Sequence, residues 1–133
     1  MATQGFRELR VWQAGMELAV GVHDVTKSLA KEDKDGLANQ LRRAAVSVPA
    51  KIAHGYGRQD LPAYLRNLEL ARSALAEVAS GLELLRRLSA APEEHIQALL
   101  EQASSLERQL LSLHDALMIR LGENALSYDP DEF

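Results

Sequence analysis

Basic side chains recur along one stretch of the sequence, RRAAVSVPAKIAHGYGR at residues 42–58, which contains no Asp or Glu. Wound as a helix, the stretch places four of them along a single edge. This basic edge consists of Arg43, Lys51, His54 and Arg58. Such an edge either binds the phosphates of RNA or DNA, or is solvated or paired with carboxylates of another subunit.

Two other residues of this stretch affect how the edge can work. Tyr56 is its only aromatic ring for base stacking, so a nucleic-acid contact is predicted to be mainly electrostatic and weakly specific for sequence. Pro49 lacks an N–H and crowds the carbonyl of Ala45, which predicts a bend in the helix. The hydroxyl of Ser47 is placed to satisfy the carbonyls that are freed there.

Polar residues also interrupt two apolar seams further along the chain. Arg72 lies among leucines spaced three and four apart, and Glu107 and His114 lie in a second seam of the same kind. A mixed set of this type is typical of a buried polar network or of the lining of an oligomer's central channel. Catalysis or small-molecule binding by the three residues is the weaker alternative.

Motifs for other chemistry are missing from the sequence. A di-iron site in a helical bundle needs Glu-x-x-His on two helices, and no His here follows a Glu at that spacing. The chain has no Cys, no HExxH and no phosphate-binding GxxxxGK[ST], and GYGRQD lacks the third glycine of a dinucleotide fingerprint. We therefore predict no metal, no cofactor and no enzymatic activity.

The composition favours helices. The 133 residues are 47% hydrophobic and 26% charged, with few glycines and prolines. Breaks in the apolar periodicity predict four helices, which are long enough and closely enough connected to form an up-down-up-down antiparallel bundle, an all-α fold. Their predicted ranges are about 6–30, 36–56, 61–88 and 92–121, in one domain over residues 1–121.

The charges are unevenly distributed. The net charge is −4, and it resides in residues 122–133, which carry four acids and no bases and are predicted to form a flexible tail. Overall charge therefore neither requires nor excludes a nucleic-acid partner. The absence of Cys and of any apolar run long enough to cross a membrane predicts a cytoplasmic protein without membrane contact.

The first helix is apolar on two sides. One stripe contains Leu9, Trp12 and Met16, and the other lies roughly 120° around the helix. A lone bundle buries mainly one face of each helix, so the second stripe predicts a homo-oligomer. We expect the interface at Val11, Leu18, Val22, Val25 and Leu29.

The segment QLRRAAVSVPAKIAHGYGR, preceded by FRELRVWQAGMELAV and followed by YLRNLELARSALAEV, strongly resembles the bacterial four-helix-bundle protein family. That family includes proteins encoded in intervening sequences of 23S ribosomal RNA genes and the accessory variability determinant of diversity-generating retroelements. The resemblance, over roughly residues 6–121, implies a bundle that assembles into a homopentameric barrel and has no known enzymatic activity. In the retroelement member it implies binding to nucleic acid and to a reverse transcriptase.

This chain departs from the family pattern at three positions. Lys51, His54 and Tyr56 stand where the family commonly has Asn, Glu and Phe, and the first two changes make the helix more basic. The predicted function is a non-enzymatic oligomeric scaffold that binds RNA or DNA through the basic edge. The alternative is a scaffold for a protein partner without nucleic-acid contact.

Overall fold

The computed structural model describes residues 5–30 and 34–124. These residues form four α-helices and no strand, which confirms the predicted all-α class. The helices are Arg10–Lys27 (α1), Asn39–Arg58 (α2), Leu61–Arg87 (α3) and Glu93–Asn124 (α4). A 3-10 turn at Gly5–Glu8 precedes α1, and a π-helical turn at Lys34–Ala38 leads into α2.

The division into a domain over 1–121 and a tail over 122–133 stays a prediction. Helix α4 continues to Asn124, three residues past the predicted end of the last helix. The remaining residues of the predicted tail, 125–133, lie outside the described part of the chain.

Helix α1 packs antiparallel against α2. Gly15 lies against Pro49, whereas Thr26, which is later on α1, lies against Arg42, which is earlier on α2. A β-carbon at Gly15 would lie only 3.3 Å from that of Pro49, so the glycine makes room for the buried proline ring. Arg42 Nε donates a hydrogen bond of 2.7 Å to Thr26 Oγ1. This bond ties the other end of the helix pair.

Helix α2 runs as an α-helix through Pro49. The Ser47 hydroxyl donates to the carbonyl of Arg43 at 3.1 Å. The prediction that it satisfies the carbonyl freed by the proline is therefore wrong, because that carbonyl belongs to Ala45. A serine at this position bonds one turn back along its own helix.

Helices α2 and α3 approach closely and also run antiparallel. A β-carbon at Gly55 would lie 2.7 Å from that of Asn67, and one at Gly81 would lie 2.6 Å from a methyl carbon of Leu41. These glycines are therefore contact points between helices. Helix α2 also continues past its predicted end at about residue 56. It ends at Arg58, and the left-handed residue that follows is Gln59, with φ of 52°.

Helix α4 completes the bundle between α3 and α1. Arg72 on α3 is bonded to Glu107 on α4, and Gly21 on α1 lies against Leu99 on α4. Each helix thus contacts the two beside it, which is the arrangement of an up-down-up-down four-helix bundle.

The predicted oligomer interface on α1 is wrong in its location. All five of its side chains lie in the core of this single chain, at most 7% exposed. A residue so covered within one chain has no surface to offer to another. The five are Val11, Leu18, Val22, Val25 and Leu29.

Apolar side chains do reach the surface elsewhere. On the first two helices the most exposed are Val20 at 59% and Val46 at 60%, and Met16 lies one turn before Val20 on α1. Helices α3 and α4 add a second set, which comprises Leu70, Leu84, Leu111, Met118 and Ile119. Exposed groups of this kind are candidates for contacts between proteins.

No helix in residues 5–30 or 34–124 combines the length and apolar composition that crossing a bilayer requires.

Candidate functional site

The basic edge lies on the outside of α2. Arg43, His54 and Arg58 are exposed and Lys51 is half-buried. All four lie within one uninterrupted helix, so their separation is fixed at about 1.5 Å per residue and the edge is about 22 Å long. The helical spacing predicted from the sequence therefore puts the four side chains in line.

Carboxylates do not reach this edge within the described residues. The ion pairs among the described residues involve Lys27, Arg72, Arg86 and His114, and none of these pairs includes a residue of the basic edge. Arg43, Lys51 and Arg58, which pair with no carboxylate of the described residues, leave a positive potential on this side of the chain. The structure of the single chain thus leaves the edge accessible to an anion.

The edge borders the groove between α2 and α3. Part of that groove is a cleft of about 370 Å³ lined by Gln40 and Ala44 of α2 and by Glu77 and Ser80 of α3, among others. Gln40 lies on the same side of α2 as the basic edge, because Arg43 and the other residues of the edge follow it at steps of three or four residues. The half-burial of Lys51 agrees with a position beside α3.

Tyr56 is not available for stacking with bases. It is 7% exposed, and its ring meets that of Tyr64 edge to face, with centroids 6.2 Å apart. The sequence did not reveal this, because a tyrosine at the end of a helix can face either side. Burial of Tyr56 removes this ring from the surface of α2, so contacts of the basic edge with a nucleic acid would be mainly electrostatic.

The structure brings together two of the three polar residues predicted to form a network. Arg72 Nε and Nη2 donate to Glu107 Oε2 at 3.0 and 2.8 Å. The hydrogen bond to Glu107 is the main reason why the pKa of Arg72 is raised, while partial desolvation acts against it. With side chains 32% and 39% exposed, the pair lies in a groove between α3 and α4 rather than in the core.

His114 does not join this pair. Its Nε2 lies 3.3 Å from Oε2 of Glu69, but the two atoms do not have the geometry of a hydrogen bond. The nitrogen is buried and has no hydrogen-bond partner among the described residues. Sequence reasoning missed Glu69, although it precedes Arg72 by three residues and so shares its side of α3. The predicted trio is thus two separate pairs across the α3–α4 groove.

Metal binding finds no support in the described ranges. Within residues 5–30 and 34–124, no three His, Asp or Glu side chains are grouped so that they could hold a metal ion. The Arg72–Glu107 pair satisfies its own charges, which suits a structural contact better than a nucleophile or a general base.

Comparisons with known proteins agree with the fold. A solved structure, described as a protein of unknown function from the S23 ribosomal protein family of Bacteroides thetaiotaomicron VPI-5482, superposes with a TM-score of 0.73. It is 24% identical in sequence, and the match covers 79% of this chain and 95% of that one. No curated protein matches the chain.

The sequence itself gives the family. Residues 7–112 match the family described as 23S rRNA-intervening sequence protein, and this range holds all of α1, α2 and α3. It includes the whole basic edge and the Arg72–Glu107 pair. The chain belongs to the 23S rRNA-intervening sequence protein family.

Proposed function

We propose that this protein is a non-enzymatic, self-associating helical scaffold that binds nucleic acid through the basic edge of α2. One observation carries the proposal: Arg43, Lys51, His54 and Arg58 share an accessible edge that no carboxylate of the described residues neutralises. Lys and Arg side chains in a row replace the counterions of a phosphate backbone, and the release of those counterions favours binding.

The expected binding is weakly selective for sequence. Phosphate contacts set position and affinity, whereas discrimination between bases needs contacts with base edges or stacked rings. Burial of Tyr56 removes the one Phe, Tyr or Trp ring of α2. RNA, DNA and hybrids of equal length are therefore expected to differ little at the basic edge.

A gel-shift titration tests the proposal. RNA, duplex DNA and an RNA–DNA hybrid are mixed with the protein between about 50 and 200 mM salt, and affinity is expected to fall steeply as salt rises. The variant Arg43→Glu with Arg58→Glu should bind more weakly than the matched control Arg87→Glu with Arg108→Glu, since all four arginines are exposed. Absence of any shift at low salt, or binding that salt does not weaken, would overturn the proposal.

Self-association is part of the proposal. The exposed apolar side chains of α1 and α2, including Val20 and Val46, support a contact with another copy, and the family resemblance supports a pentamer. Light scattering after size exclusion gives the mass directly. A monomer at micromolar concentration would contradict this part of the proposal, and Val46→Glu is expected to shift the assembly toward smaller species.

A scaffold for a protein partner is the second candidate, and the exposed Leu111, Met118 and Ile119 of α4 favour it. An interaction with one purified protein that survives nuclease treatment and the variant Arg43→Glu with Lys51→Glu would support this alternative. Loss of the interaction after nuclease treatment would instead support nucleic acid as the bridge.

A further inference from the structure

The register between α2 and α3 shows which residues lie at the same height on the two helices. Leu41 meets Gly81 near one end of the groove, and Gly55 meets Asn67 near the other. Arg66 precedes Asn67 by one residue, so it lies level with the last turn of α2. It is exposed, and it forms no hydrogen bond or ion pair within residues 5–30 and 34–124.

Arg66 belongs to the same side of the bundle as the basic edge. Steps of three and four residues along α3 connect Gly81 with Glu77, Ala74, Leu70 and Asn67, which is the line that faces α2. Arg66 borders this line toward solvent. A cation from α3 therefore stands opposite the end of α2 that carries His54 and Arg58.

The other end of the groove carries a negative charge. Glu77 lines the cleft there together with Gln40 and Ala44, and Arg43 immediately precedes Ala44. Glu77 is exposed and has no ion-pair partner among the described residues. Its negative charge lowers the potential around Arg43 and repels a phosphate that approaches this end.

An acid is also present near the α2–α3 turn, but its effect is smaller. Asp60 lies immediately before α3 and makes no hydrogen bond to the end of that helix through its side chain. The positive end of the helix dipole partly offsets its charge. Glu69 follows Arg66 by three residues and is its neighbour on α3, and its carboxylate lies 3.3 Å from Nε2 of His114 on α4. Lys51, Arg58 and Arg66 outnumber Asp60 and Glu69, and the lysine and the two arginines span only about 10 Å along the helix axes.

We infer that the phosphate-binding surface is centred at the α2–α3 turn, on Lys51, His54, Arg58 and Arg66, and that Glu77 limits it toward Arg43. This inference rests on the proposed function and changes its footprint. The surface is a short cluster formed by two helices instead of a 22 Å row on one. It fits a few consecutive phosphates of a nucleic-acid backbone, with Arg66 as a contact outside the α2 helix.

Fluorescence anisotropy with a labelled single-stranded RNA of about 20 nucleotides and with a DNA duplex of equal length tests the footprint. Arg66→Glu is expected to weaken binding by about tenfold at 50 mM salt, and Arg43→Glu by less than about threefold. The change in the salt dependence should follow the same order, because each lost phosphate contact reduces the slope by about 0.7 to 0.9. Arg87→Glu is the control for the change in net charge.

Glu77→Gln supplies the complementary measurement. Removal of this carboxylate is expected to tighten binding about two- to threefold and to make Arg43→Glu more damaging when the two changes are combined. Circular dichroism and thermal melting of each variant confirm that the fold is intact.

The possible failures are distinguishable. If Arg43→Glu weakens binding as much as Arg66→Glu, or if Arg66→Glu behaves like Arg87→Glu while the wild type binds, the footprint is wrong and the proposed function stands. If the wild type binds neither probe at 50 mM salt, the proposed function is wrong, and the footprint with it.

Discussion

Helix α3 meets its two neighbours in different ways. Toward α2 the contact is tight, because Gly55 and Gly81 bring the backbones close. The cations beside this contact have no carboxylate partners within residues 5–30 and 34–124. Toward α4 the contact leaves a groove of about 770 Å³, and Arg72 within it is bonded to Glu107. Charges on the α4 side of α3 thus hold two helices together, whereas charges on the α2 side remain available to a partner.

The physical basis of the difference is where carboxylates occur in the sequence. Helix α4 supplies Glu107 at the height of Arg72, and a charge-assisted pair forms across the groove. Helix α2 contains no Asp or Glu. Glu77 of α3 lines the cleft at one end of the groove between the two helices. The surplus positive charge of the α2–α3 rim is thus set by composition, while its location is set by packing.

Gly55→Val is expected to have the largest effect on stability. A β-carbon at this position would lie 2.7 Å from that of Asn67 and 3.2 Å from the ring of Tyr64, so the two helices must separate, at a cost of about 1–3 kcal/mol. Urea denaturation gives the change in the free energy of unfolding. The control is Gly57→Ala, where nothing lies within 4 Å; it should leave stability unchanged or raise it by up to about 1 kcal/mol. Equal effects of the two variants would contradict the tight contact.

Tyr64→Phe is expected to raise stability by about 1 kcal/mol at neutral pH. The hydroxyl of Tyr64 is buried without a hydrogen-bond partner in the described part of the chain, and removing an unsatisfied buried group is favourable. A decrease in stability on this substitution would show that the hydroxyl has a partner.

The same residue predicts a dependence on pH. Burial raises the pKa of Tyr64, and the neighbouring Tyr56 raises it further. The unfolded chain releases this proton near pH 10, whereas the folded chain retains it, so its contribution to stability is fully present below pH 10 and is lost as pH rises above it. Urea denaturation at pH 8 and pH 11 should show a loss about 1 kcal/mol smaller in Tyr64→Phe than in the wild type. Identical losses would contradict the assignment.

The Arg72–Glu107 pair is expected to contribute about 0.5–1 kcal/mol, because both side chains are about one-third exposed and water screens their attraction. A double-mutant cycle of Arg72→Ala and Glu107→Ala measures this coupling. The reference cycle uses Asp24 and Lys27, which are 64% exposed and 3.6 Å apart, and should give a coupling near zero. A coupling no larger at Arg72 than at Lys27 would remove the distinction between the two sides of α3.

The smallest effect on stability is expected at the basic edge. Arg43→Glu changes an exposed side chain that makes no ion pair with a described residue, so the free energy of unfolding should change by less than about 0.5 kcal/mol. Thermal or urea denaturation checks this. A larger loss would mean that Arg43 is engaged in a contact, for instance with a carboxylate of another subunit.

Much of the fold was predictable because it depends on periodicity. The breaks between apolar runs gave four helices and their order, and the spacing of Arg43 and Arg58 gave their common edge. Helix ends were less predictable. The predicted end of α2 was at about residue 56, but the helix continues to Arg58, and Gly55 within its last turn lies where α2 touches α3.

The candidate site was predictable only within single helices. The sequence identified Arg72, Glu107 and His114 as polar residues in apolar seams, but it could not show that His114 lies beside Glu69. That pairing depends on the rotation and axial offset of α3 against α4. The two apolar stripes of α1 had the same ambiguity, and packing assigned the Leu18 stripe to the core.

The sequence by itself determined the helical class, the neutral body and the excess of cations on α2, since these follow from composition and from the 3.6-residue period of a helix. Tertiary structure decided which face of each helix is buried, which charges are paired, and that Arg66 of α3 stands beside the basic edge. The reason is physical: a periodic pattern fixes angles around one axis, whereas the distance between side chains on two helices depends on how backbones approach, here through Gly55 and Gly81.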